Sequence, residues 1–69
     1  MVAEDYRRML ESMSLELLRA ELAIETDSLK ELLEKEHSGP LYEDWILQVS
    51  DTRDAIDYIQ SLLSRKFMQ

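Results

Sequence analysis

The chain has 69 residues, with 15 Asp and Glu against 8 Lys and Arg, for a net charge of −7. That length allows one domain, 1–69, whose core alone contributes only about 3–5 kcal/mol, so a disulfide, a metal or a partner surface is expected to supplement it. No cysteine is present, which excludes disulfides and thiolate metal sites together and leaves the partner surface. The acidity disfavours phosphate backbones and anionic lipid, so neither nucleic acid nor a membrane is an expected ligand. Residues 1–5 lack the basic start and apolar run of a signal peptide, and the chain reads as cytoplasmic.

Helix formers dominate throughout, and the predicted fold is all-α: an antiparallel hairpin with helix 1 at about 3–37, a turn at 38–40 and helix 2 at about 41–67. The first 14 residues carry a face of their own. Tyr6, Met9, Leu10, Met13, Leu17, Ala20 and Ile24 recur at helical spacing, rotated by roughly 140° from the stripe that follows at 100° per residue. Either one helix runs through with a second apolar face, or Ser12 or Ser14 caps a new helix after a short first one. A similar ambiguity sits over Thr26–Ser28, where Ser28-Leu29-Lys30-Glu31 has the spacing of a capping box.

Leu15, Leu18, Leu22, Leu29, Leu32 and Leu33 form the main stripe of helix 1, with Glu25 as its one polar interruption. Gly39 is suited to the left-handed residue that ends a helix and Pro40 to the first turn of the next. His37, the only histidine, reads as a solvated residue beside that turn. From there Tyr42, Trp45, Val49, Thr52, Ile56, Ile59 and Leu63 alternate steps of three and four, an a/d seam that faces the first stripe. The turn then pairs Leu33 with Trp45, Leu29 with Val49, Leu22 with Ile56 and Leu15 with Leu63.

Residues 6–13 are expected to overhang the end of helix 2, so the face of Tyr6, Met9, Leu10, Met13, Leu17 and Ile24 is the predicted partner-binding surface. A weaker stripe, Leu47, Tyr58 and Leu62, would widen the contact. Folding back of the N-terminal segment to complete a three-helix core, and self-association, are the competing readings of the same residues. No catalytic, cofactor-binding or metal-ligating constellation is expected: the sequence holds no HExxH, calcium loop or phosphate-binding glycine loop, and no histidine base stands in a motif with its serines. The chain is therefore expected not to be an enzyme.

Tyr42-Glu43-Asp44-Trp45 after a Gly-containing turn, Ala55-Ile56 with Ile59 beyond it, and Leu22, Leu29 and Leu33 before it resemble the small co-chaperones of the type III secretion needle subunit, the YscE, PscE and EscE type. The resemblance covers roughly residues 20–60 and consists mainly of core positions. It implies a cytoplasmic hairpin that binds a larger tetratricopeptide-like chaperone, the two together keeping the needle subunit soluble and unpolymerised. The N-terminal segment, the turn proline and the acidity depart from that pattern. A self-associating regulatory or phage protein, as a four-helix homodimer, remains the main alternative, and an acidic nucleic-acid mimic a lesser one.

Overall fold

The computed structural model describes residues 2–35 and 39–68. Among them the chain is all-α, with three helices and no strand: α1 (Glu4–Glu11), α2 (Leu15–Glu34) and, after a single 3₁₀ turn at Gly39–Leu41, α3 (Tyr42–Phe67). None is long and apolar enough to cross a membrane. The predicted helix 1 is thus two helices, and the second of the two readings left open at Ser12–Ser14 is the one that forms.

Local chemistry explains the break. The Ser12 hydroxyl donates to the Met9 carbonyl at 2.7 Å and the Met13 N–H donates to Leu10 at 3.1 Å, which closes α1. Ser14 then takes an extended backbone and its hydroxyl accepts the Leu17 N–H at 3.3 Å, capping α2. At Thr26–Ser28, by contrast, α2 continues unbroken, because the leucine stripe runs through that point and its packing outweighs a local capping option.

The turn differs from expectation: α2 stops at Glu34 with Lys35 as its C-cap, so Gly39 does not end it, and Pro40 lies in the 3₁₀ turn before α3 and not in the first turn of that helix. Gly39 has φ +75°, the left-handed conformation that glycine adopts without a steric cost. Glu36, His37 and Ser38 lie outside the described residues, so the readings of His37 as a solvated residue and of Ser38 as part of the turn do too. Glu43 and Asp44 occupy the first turn of α3 and Arg65 and Lys66 its last, complementing the helix dipole.

Helices α2 and α3 run antiparallel. At one end the Trp45 indole N–H donates to the Leu32 carbonyl at 2.7 Å, satisfying an oxygen in the last turn of α2. At the other end Leu18 packs with Ile59 and Leu62. Leu22 and Leu63 lie against the same cluster, and Trp45 and Val49 are buried further along.

The fourth member of that cluster is Leu10, which is fully buried. Residues 6–13 therefore do not overhang helix 2. That expectation assumed a continuous helix 1; the break at Ser12–Ser14 redirects α1 so that Tyr6, Leu10 and Met13 turn onto the hairpin beside the long C-terminal half of α3. Tyr58 and Leu62, expected to widen an external contact, pack inward against α1 instead, and Leu47 is left 60% exposed.

Candidate protein-binding surface

Polar contacts fix α1 on one face of the α2–α3 pair. The Tyr6 hydroxyl shares its proton between Glu21 at 2.8 Å and Glu25 at 3.1 Å on α2. Glu25, the polar interruption in the leucine stripe, is thus an acceptor for an incoming helix. Burial, together with the two carboxylates, holds the Tyr6 phenol above its ordinary pKa. Towards α3, the Tyr58 hydroxyl donates to the Glu11 carboxylate, and the Arg7 guanidinium lies 5.2 Å from the centre of the Tyr58 ring. The Lys66 ammonium donates to the backbone carbonyls of Met13 and Glu11, placing a cation at the C-terminal end of α1.

This docking divides the predicted binding residues. Leu10 is buried, and Tyr6 and Met13 are partly buried against the core; Met9 is 43% exposed, and Leu17 and Ile24 are each 57% exposed. Three of the six are thus engaged within the chain, and Met9, Leu17 and Ile24 remain at the surface. What the sequence reading missed is that Tyr6 has matching acceptors in Glu21 and Glu25, four residues apart on one helix face.

The edges of α2 and α3 turned away from α1 carry a second apolar surface. Helix α1 meets α2 along Glu21 and Glu25, and α3 along Tyr58, Leu62 and Lys66. At roughly 100° per residue, the opposite flank of α2 is Leu15, Leu22, Leu29 and Leu33, and that of α3 is Ile46, Val49, Ile56, Leu63 and Phe67. The burial of these residues is graded. Val49 is covered by the hairpin itself, and Leu15, Leu22, Leu29, Ile56 and Leu63 are half-buried. Phe67 is largely open at 76%, and Leu33 and Ile46 are partly open at 47% and 39%. Tyr42, whose ring centroid stands 5.8 Å from that of Trp45, extends the surface at the turn end.

Two dimensions of the molecule bear on that flank. The chain is elongated, with extents of 46 × 22 × 15 Å, and α1 covers only one side of the α2–α3 pair. Its accessible surface is 5266 Å², whereas a compact monomer of this mass exposes about 4,500 Å². The surplus is close to the roughly 800 Å² that one partner contributes to a standard interface.

No group of His, Asp and Glu among the described residues is arranged to hold a metal ion. The largest cleft lies between α2 and α3 beyond the end of α1 and is lined by Glu25, Ser28, Glu31, Lys35, Gln48 and Thr52 with Leu32 at its floor. It is an open cleft of mixed polar and apolar lining. Comparison with known protein families, curated proteins and solved structures finds no match for this chain.

Proposed function

We propose that this protein is a non-catalytic binding module whose helical hairpin docks on another protein through the flank of α2 and α3 opposite α1. The observation that carries this reading is the exposure of Leu33, Ile46 and Phe67 along one flank, interrupted by Arg19 and Arg53, in a chain whose surface exceeds that of a compact monomer by about one interface's worth. Met9 on α1 with Leu17 and Ile24 on α2 are further exposed apolar residues, away from that flank.

Within that class, the resemblance over the turn and second helix favours a cytoplasmic co-chaperone role. The hairpin would cover an apolar surface of a larger tetratricopeptide-like chaperone, and the pair would hold a secretion needle subunit soluble and unpolymerised. A ligand that binds only the folded form stabilises it by mass action, so the complex would protect both chains. The acidic outer faces, with Glu16, Asp27, Glu31 and Glu34 on α2 and Glu43, Asp44, Asp51 and Asp54 on α3, would keep it in solution.

The test is co-expression with a tetratricopeptide-like chaperone encoded beside it. The expected result is a higher soluble yield of both chains and co-elution as one species. Leu33→Glu with Ile46→Glu should separate them while the helical circular dichroism of the small chain is kept. A complex that survives those two substitutions would remove the assigned surface; a stable homodimer that excludes the chaperone would favour the self-association reading.

A further inference from the structure

The flank opposite α1 differs in charge from the rest of the molecule. Continuing the same helical spacing, its seam on α2 reads Leu15, Arg19, Leu22, Thr26, Leu29, Leu33, and on α3 Tyr42, Ile46, Val49, Arg53, Ile56, Gln60, Leu63, Phe67. Lys30 and Asp57 border it. A chain of net charge −7 thus presents Arg19, Lys30 and Arg53 on and beside this flank, with Asp57 as the acidic residue at its border. All three cations are exposed, and none is in an ion pair among the described residues.

Resting on the docking role proposed above, we infer that this flank takes an amphipathic helix with acidic edges, supplied by another protein. The two seams alternate steps of three and four residues over the length of both helices, the spacing at which ridges of side chains receive the i, i+3, i+4 side chains of a third helix. Unpaired guanidinium groups placed among the leucines make an apolar helix with acidic edges the complementary occupant. An Arg stem can lie along apolar surface while its head reaches a carboxylate.

A second copy is the less favourable occupant on charge. Face-to-face pairing brings Arg19, Lys30 and Arg53 of both protomers onto one interface with only the two Asp57 carboxylates to answer them, while the other carboxylates stand on the outer faces. An anionic membrane would meet those outer carboxylates as well as the cations.

The test uses the full chain and two synthetic peptides of about three heptads, both with Leu at a and d, one with Glu and one with Lys at e and g. Both are used at concentrations where sedimentation shows them monomeric. The Glu peptide is expected to bind and to shift the amide resonances of Leu33, Ile46 and Phe67, with the Lys peptide weaker by about tenfold at low salt, a difference that shrinks as salt is added. Arg19→Glu with Arg53→Glu should reverse the order. Arg19→Gln with Arg53→Gln, which leaves helix propensity almost unchanged, should abolish the preference.

Equal binding of both peptides would overturn the charge selection while leaving the docking role intact. Failure of both peptides, with no shift on this flank, would remove the docking role as well. A dimer in light scattering that Ile46→Glu dissolves would assign the flank to a second copy and overturn the inference. Co-sedimentation with phosphatidylserine vesicles that Arg19→Glu with Arg53→Glu abolishes would likewise assign it to a membrane.

Discussion

Replacing Leu10 with Ala separates a docked α1 from one that waits for a partner. Leu10 is fully buried with Leu18, Ile59 and Leu62, so the substitution removes three carbons from a closed contact and leaves a cavity. Such changes cost about 2–5 kcal/mol, and undocking of the short α1 limits the loss here to about 2–3 kcal/mol. A chain this small holds only about 3–5 kcal/mol in total, so about half of its stability or more would go. With a urea dependence of about 1 kcal/mol per molar, the midpoint should fall by about 2–3 M. Unfolding followed by Trp45 fluorescence reports on the turn end of the hairpin and circular dichroism on all three helices. Leu47→Ala, at a largely exposed position, should stay within about 0.5 kcal/mol and is the control. A Leu10→Ala protein as stable as that control would show that α1 does not pack as described.

Further outcomes test the elbow, the turn and the α1 contact. Ser14→Ala should cost about 1 kcal/mol and raise amide exchange first at Leu17 and its neighbours, whereas Ser12→Ala should leave that region unchanged. Gly39→Ala should destabilise by about 1 kcal/mol in thermal melts although a Cβ there would meet nothing within 4 Å, because the cost comes from φ +75° and not from contact. Tyr6→Phe should be less stable than the parent below pH 10.0, the ordinary value for the phenol. Because docking raises the Tyr6 pKa, its contribution is present below that value and declines as the pH rises above it. The stability gap between the two proteins should therefore narrow from about pH 9 to about pH 11. A gap that stays constant over that range would mean the hydroxyl does not contact Glu21 and Glu25.

The parts of the fold that periodicity encodes were legible in the sequence. Leucines at a/d spacing on either side of Gly39-Pro40 specify two facing helices, and Trp45 meets Leu32, adjacent to the Leu33 pairing that the turn implies. The placement of α1 was not legible because it depends on the backbone direction at Ser12–Ser14, and one or two residues of extended chain there redirect everything before them. Hydrophobic spacing gives the face of α1 but not where that face points. Long-range contacts determine it, the burial of Leu10 against Leu18, Ile59 and Leu62 together with Tyr6 on Glu21 and Glu25 and Lys66 at the end of α1, and their spacing in sequence exceeds any local motif.

The candidate surface was hidden for a related reason. Its residues belong to the same leucine and isoleucine stripes that build the hairpin, and a stripe wider than two helices can bury is distinguished from a core only by its graded exposure. Leu33, Ile46 and Phe67 mark that edge. Arg19 and Arg53 stand within that flank on the folded chain, a placement that only the packing of α1 on the other side makes apparent.

Site-specific photo-crosslinking in the cell tests the central claim most directly. A benzophenone side chain at position 46 lies on the flank opposite α1, and one at position 27 lies on the acidic outer face of α2. The expected result is a discrete adduct with one other protein from position 46, lost when Leu33 is replaced by Glu, and none from position 27. Equal adducts from both positions, or an adduct from position 27 alone, would contradict it.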